Sequence, residues 1–211
     1  MNKAIIFDFD GTLVDSENTI YQCFQSIINY LAPERIDYAK NILIGPPLRD
    51  TASEILGSDH QGQLNEFVTL FIEMHDEHVI KNTQPYPYVI KTLKKLSSKG
   101  ILMALATNKR YAPTIKLINH YNWQNYFISI ECSDDKKFIR NKDEMIQNIV
   151  NNDKNFINAF FIGDTVNDGL SANLNKLPFI KAHYGYGRDQ DWSNINVKQS
   201  IQNFSEILQI I

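Results

Sequence analysis

Apolar and polar positions along this chain fall into blocks that predict short buried strands separated by amphipathic helices. Ala4-Ile5-Ile6-Phe7 is apolar without polar alternation, the pattern of a strand covered on both faces inside a parallel sheet. Ile101 to Ala106 and Phe160-Phe161-Ile162 repeat that pattern, and Tyr126 to Ile130 and Pro178-Phe179-Ile180 are further strand candidates. Helical spacing takes over between them. Ile20, Phe24, Ile27, Ile28 and Leu31 share one face, with Asp15 or Ser16 to cap the start and Pro33 to close the segment. A second helix is predicted from Leu48, and a longer one carries Leu64, Phe67, Phe71 and Met74 on a common stripe. Val89, Leu93 and Leu96 precede a stop at Gly100, Ile115 and Ile118 mark another helix, and Asp143 to Val150 a further one. Phe204, Ile207, Leu208 and Ile211 predict an amphipathic helix at the chain's end.

No strand pattern interrupts residues 16–83. An all-helical block set between the first strand and the following strand–helix units predicts two units in an α/β fold. Residues 1–15 and 84–211 form a core with a parallel sheet, and residues 16–83 a small all-helical cap domain.

The strands end in polar side chains. Asp8 and Asp10 are two apart, so an extended chain points them to one side, and Gly11 lets the backbone turn away. Thr107-Asn108 ends the strand that starts at Ile101, and Gly163-Asp164 follows Phe160-Phe161-Ile162, with Asp168 four residues on where a helix begins. Right-handed crossovers bring the carboxyl ends of parallel strands to one sheet edge, so Asp8, Asp10, Asp164 and Asp168 converge. Two like charges about 4 Å apart repel by roughly 4 kcal/mol at an effective dielectric of 20, and several such pairs rival the about 5–15 kcal/mol that holds a domain folded. A cation is required. Oxygen ligands without nearby His or Cys favour a hard ion, and Mg²⁺ keeps water positions that a phosphate oxygen can take.

Composition narrows the class. A chain of 211 residues with 43% hydrophobic and 21% charged residues reads as an ordinary soluble globular protein. A net charge of −3 leaves no nucleic-acid footprint, and the densest basic cluster, Lys136, Lys137, Arg140 and Lys142, sits beside Asp134, Asp135 and Asp143. No apolar run is long enough to span a membrane, and Asp8 arrives before a signal-peptide core can form, so a cytoplasmic location is expected. Cys23 and Cys132 fit unpaired thiols in a reducing compartment. No apolar stripe marks a dimer face, which leaves monomer and homodimer open.

The stretch KAIIFDFDGTLV resembles the first motif of the haloacid dehalogenase-like hydrolases, DxDGT[LV] after an apolar strand; Asp8, Asp10, Gly11, Thr12 and Leu13 match every specified position. Gly163-Asp164-Thr165-Val166-Asn167-Asp168 is similar to the family's GDxxxD motif, and Thr107 stands where the family has its strand-end hydroxyl. Lys142 takes the place of the family lysine, although Asp143 replaces the usual proline and Lys136 and Lys137 compete for the role. The resemblance covers nearly the whole chain. It implies a Rossmann-like three-layer core with a helical cap inserted after the first motif, in the phosphoglycolate phosphatase-like branch.

The resemblance also implies roles. Asp8 attacks phosphorus and becomes an aspartyl-phosphate; Asp10 protonates the leaving alcohol and then activates water. Lys142 and Mg²⁺ supply positive charge, Thr107 and Asn108 meet phosphoryl oxygens, and Gly11 lies against substrate. The metal ligands are the Asp8 side chain, the Asp10 backbone carbonyl and Asp164, with Asp168 as a further ligand or supporting group. Arg49, in a Gly45-Pro46-Pro47-Leu48-Arg49 turn similar to GxPLR turns of the family, is a candidate substrate contact, against the ordinary reading of a solvated helix-start residue. His75 and His78 read as a polar helix face rather than a metal pair, and Tyr88 stands where family members often have Gly.

The function expected is a Mg²⁺-dependent phosphatase of small phosphorylated metabolites, phosphoglycolate-like or sugar phosphate monoesters. Asp10 favours phosphate over halide or phosphonate chemistry, since those branches lack this acid. The alternative is a sugar phosphomutase of the β-phosphoglucomutase type. A phospho-receiver places its acid pair and acceptor on different strands, and a non-catalytic binding module would have no need of the full set.

Overall fold

The computed structural model describes residues 4–39, 42–134 and 140–211. Lys136 and Lys137, the competitors of Lys142, lie outside the described residues. β1 (Ala4–Phe7) is buried throughout, as its unbroken apolar sequence requires. The chain then turns through Gly11 into a two-residue strand, β2 (Val14–Asp15). Four helices follow: α1 (Glu17–Leu31), α2 (Ile36–Ala39), α3 (Leu48–Leu56) and α4 (Leu64–Asn82). They gather Ile20, Phe24, Ile27, Ile55, Phe67 and Phe71 into a hydrophobic cluster of their own. β3 (Gln84–Pro85) pairs antiparallel with β2, which the apolar pattern did not predict, so the chain leaves and re-enters the sheet region through one small ladder.

Strand–helix units then alternate: α5 (Val89–Ser98), β4 (Leu102–Thr107), α6 (Tyr111–His120), β5 (Ser129–Cys132), α7 (Lys142–Asn152), β6 (Phe160–Gly163), α8 (Val166–Leu174) and β7 (Phe179–Ala182). β8 (Val197–Ile201) and a one-turn helix, α9 (Ile207–Ile210), complete the chain. The sheet order is β5-β4-β1-β6-β7-β8, with every pair parallel. Side chains of successive residues face opposite ways. Ile5 and Phe7 pack with Leu93, Leu96, Leu117 and Ile207 on one face. Ala4 and Ile6 pack with Met145, Ile146, Ile149 and Ala172 on the other. The result is three layers, helices on both sides of a parallel sheet.

Two expectations shift. The strand candidate at Tyr126 to Ile130 begins at Ser129 instead, because Phe127 turns into the core against Phe7, ring centroids 6.4 Å apart. The terminal helix shrinks to a 3₁₀ turn at Phe204–Glu206 followed by α9, while Phe204 and Ile207 still reach the core. Among the described residues no helix is long and apolar enough to cross a membrane.

Candidate active site

Strand order reverses between β1 and β6, the point where an open α/β sheet splays its carboxyl ends into a crevice. Asp8 follows β1 and Asp164 follows β6, one on each side of that opening. The Asp8 amide donates to the Ile162 carbonyl at 2.8 Å, which continues the ladder one residue past the strand. Gly11 then has φ +79°, and a Cβ there would lie 2.2 Å from Asp164 Oδ2. Only a glycine lets this turn pass so close to the second carboxylate.

Asp164 is held by Thr12 Oγ1, donating to its Oδ1 at 3.0 Å, and by the Tyr186 amide, donating to its Oδ2 at 2.7 Å. Asp168 caps its own helix start: its Oδ2 accepts from the amides of Asp164 and Thr165 at 3.1 and 2.8 Å and from Thr165 Oγ1 at 2.7 Å. Its Oδ1 accepts from Lys142 Nζ. Lys142 Nζ also lies 2.9 Å from Asp8 Oδ1, so one buried ammonium joins the two carboxylates.

Lys142 reaches this place as the first residue of α7, behind Asn141, which forms a capping box with Glu144. Asp143, the departure from the family pattern, falls in the first turn, where an acid favours the helix dipole as a proline would favour the backbone.

Oxygen atoms of Asp8, Asp164 and Asp168 come within 4.8 Å of one another, all three residues buried. Burial pushes the Asp8 carboxyl up to about 7 although Lys142 opposes the shift, and burial with the Asp168 and Asp8 charges raises Asp164 well above the usual carboxylate range. Burial works against the Lys142 charge, but Asp168 and Asp8 overcome it and raise Lys142 above an ordinary lysine. Three carboxylates face one ammonium, an excess of negative charge that suits a hard divalent cation on oxygen ligands. Asp164 meets one hydroxyl and one amide, whereas Asp168 meets two amides, a hydroxyl and the Lys142 ammonium, so Asp164 is the less committed of the two to donors within the protein.

Beside this trio a cleft of about 80 Å³ runs under the helical segment, reached by Asp8, Asp10, Thr107, Asn108 and Lys142 from the sheet edge. Phe24 and Phe71 from the helices give it an apolar wall. The Thr107 hydroxyl accepts from the Lys109 amide at 3.2 Å, leaving its own proton for a ligand. Asn108 Nδ2 donates to the Gly45 carbonyl at 2.7 Å, tying the turn before α3 to the end of β4. Among the described residues no donor reaches Asn108 Oδ1.

The profile of the haloacid dehalogenase-like hydrolase family matches residues 5–182. The chain belongs to the haloacid dehalogenase-like hydrolases. Among relatives in this family, a phosphoglycolate phosphatase from Rhodobacter capsulatus is 29% identical over 193 residues, covering 88% of this chain and 86% of its own. A 5′-nucleotidase from Pseudomonas aeruginosa is 25% identical over 189 residues, covering 89% of this chain and 85% of its own. The solved structure of a haloacid dehalogenase-like family hydrolase from Streptococcus pneumoniae superposes with a TM-score of 0.82 at 25% identity, over 99% of this chain and 97% of that one.

Against the family motifs, the structure gathers Asp8, Asp10, Gly11, Thr107, Asn108, Lys142, Asp164 and Asp168 at one sheet edge. Arg49 is not gathered. It is exposed, its Nη1 donates to Asn65 Oδ1 at 3.0 Å, and it does not line the cleft. Leu48, one residue earlier, does line it. His75 also departs from expectation: His78 is half-exposed, as a polar helix face requires, but His75 is buried in the cleft, stacked on Phe71 at 5.3 Å.

Three more groups gather around Asp10: Lys109, which the sequence did not single out, Ser16, expected there only as a helix cap, and Tyr186 from the loop after β7. Lys109 Nζ donates to both oxygens of Asp10 at 3.0 Å, Ser16 Oγ donates to Asp10 Oδ1 at 2.7 Å, and the Tyr186 hydroxyl lies 3.0 Å from Ser16 Oγ. The only signal for Lys109 was a cation directly after the polar pair Thr107-Asn108.

Proposed function

We propose that this hydrolase is a Mg²⁺-dependent phosphatase of small phosphorylated metabolites, phosphoglycolate-like or sugar phosphate monoesters, working through an aspartyl-phosphate. The observation that carries the reading is Lys142 bridging buried Asp8 and Asp168 beside Asp164. That arrangement supports a carboxylate nucleophile, a cation for the transferring group and a place for a divalent ion. The family's phosphatases supply the reaction type, phosphoglycolate phosphatase and 5′-nucleotidase among them.

In this reading Asp8 Oδ attacks phosphorus in line while the ester oxygen leaves on the opposite side. Asp10 gives its proton to the leaving oxygen, then as carboxylate takes one from the water that cleaves the aspartyl-phosphate. Lys142, Thr107 and Asn108 donate to the phosphoryl oxygens as charge spreads over them. Asp8, the Asp10 carbonyl and Asp164 would hold Mg²⁺, with Asp168 positioning Lys142. Bound there, the ion supplies charge neutralisation for the transferring phosphoryl group.

Residues 16–83 act as a cap domain over the core of residues 1–15 and 84–211. The separate hydrophobic cluster of α1 to α4 and the β2–β3 ladder at both crossings support that division. The small cleft and its Phe24 and Phe71 wall favour a compact leaving group.

The test is phosphate release from a panel of metabolite esters with Mg²⁺, with EDTA and an Asp8→Asn variant as controls. Release that depends on Mg²⁺ and on Asp8 is expected. If esters stay intact while a sugar 1-phosphate is isomerised in the presence of a bisphosphate, the phosphatase reading fails in favour of a mutase.

A further inference from the structure

Lys142 joins Asp8 to Asp168, whereas Asp10 takes its partners from elsewhere in the fold. Lys109 Nζ meets Asp10 Oδ1 and Oδ2 at 3.0 Å each and lies 3.4 Å from His75 Nε2. An ammonium has three donors, and these three acceptors account for all of them. Lys109 is itself buried, with its side chain 4% exposed, so its direction is set by these contacts and not by solvent.

His75 stands on α4. Burial, then the Lys109 charge, holds it below the ordinary imidazole range, so it is neutral and can accept at Nε2. Its Nδ1 faces Asp76 Oδ1 at 3.3 Å, which places the ring proton on that side. Asp76 is paired with Arg110, next in sequence to Lys109, and its carbonyl accepts from Lys116 Nζ at 2.8 Å. A continuous polar chain therefore runs from α4 through His75 and Lys109 to Asp10. On its other side Asp10 meets Ser16 and, through it, Tyr186.

We propose that Lys109 is a positioning residue: seated on His75, it fixes the direction in which the Asp10 carboxylate points and makes that direction answer to the placement of α4. The symmetric two-oxygen contact from one ammonium aims the carboxylate along its Cβ–Cγ line, and the bond from Ser16 Oγ to Oδ1, off that line, sets its rotation. The chain thereby joins the helical segment to the group that handles the leaving oxygen. This rests on the reading of Asp10 as the acid toward that oxygen.

The experiment compares kcat/KM for the best alkyl phosphate of the panel with kcat/KM for p-nitrophenyl phosphate. Both report steps up to the first phosphoryl transfer, but only the alkoxide depends strongly on an acid. In Lys109→Met the loss on the alkyl ester exceeds the loss on the aryl ester by about tenfold or more, the scale of a misplaced proton donor. His75→Phe, which keeps the stack on Phe71 but removes the acceptor, shows the same bias, and His75→Gln, which restores an acceptor, recovers most of it. Equal losses on both esters would mean a merely structural role and overturn the proposal. Should the wild type cleave neither ester, the phosphatase reading fails separately, and crystal structures of wild type and Lys109→Met decide this one. Loss of a single Asp10 side-chain orientation in the variant upholds it; an unchanged orientation overturns it.

Discussion

As the proposed nucleophile, Asp8 would serve under two opposed demands. A nucleophile needs its charge, yet burial pushes this carboxyl up to about 7, and Asp164 is raised in the same sense. In the metal-free protein both groups hold protons more tightly folded than unfolded, where the ordinary value is 3.8. Between about pH 4 and pH 7 these two groups therefore bind more protons in the folded chain than in the unfolded one, and their contribution to stability falls as pH rises. A divalent ion held by these carboxylates would favour the ionised form and reverse that loss. Urea unfolding in EDTA is expected to show lower stability at about pH 8 than at about pH 5, with Mg²⁺ restoring stability chiefly at the higher pH. A metal-free stability that rises over that range would contradict this electrostatic account.

At this scale the sequence was most legible where spacing carries chemistry: Asp8, Asp10, Asp164 and Asp168 stand in fixed relation to strand ends. The meeting of Lys109, His75, Ser16 and Tyr186 around Asp10 was illegible because those contacts exist only once α4 and the loop after β7 fold over the sheet edge. Arg49 shows the converse, a motif-like residue whose side chain finds Asn65 instead.

Among the elements, buried strands and amphipathic helices followed the apolar pattern closely, while β8 escaped it. Val197–Ile201 reads VKQSI and pairs only with β7, so most of its side chains are exposed and no apolar run announces it. The junction between β3 and α5 records another local effect. Tyr88, where family members often carry glycine, has φ +70° while 59% of it is exposed to solvent. A left-handed conformation costs a side-chain-bearing residue roughly 1–2 kcal/mol, and little burial repays it here. Tyr88→Gly is expected to raise stability by up to about 1 kcal/mol after the added backbone entropy of glycine, read as a higher Tm without change in the fold. A lower Tm would show that the exposed ring contributes more than its surroundings indicate.

In the whole molecule, three hydrophobic clusters divide the work. Two lie on opposite faces of the sheet and hold the strand ends in register, and the third belongs to α1, α3 and α4. The catalytic reading depends on the first pair fixing Asp8 against Asp164 and on the third standing over the cleft. Parallel topology makes that convergence legible in the sequence, because strands joined through crossovers share one carboxyl edge. How the helices lean over that edge was not legible, since their apolar stripes say which faces are buried and not against which part of the core.

The central claim is that Asp8 itself accepts the phosphoryl group. Rapid acid quench of a single turnover with Mg²⁺, followed by mass spectrometry of the peptide containing Asp8, tests it directly. The account predicts a phosphoryl adduct on Asp8 that is absent with EDTA and absent in Asp8→Asn. Full phosphate release with no adduct at any time, or undiminished turnover by Asp8→Asn, would contradict it.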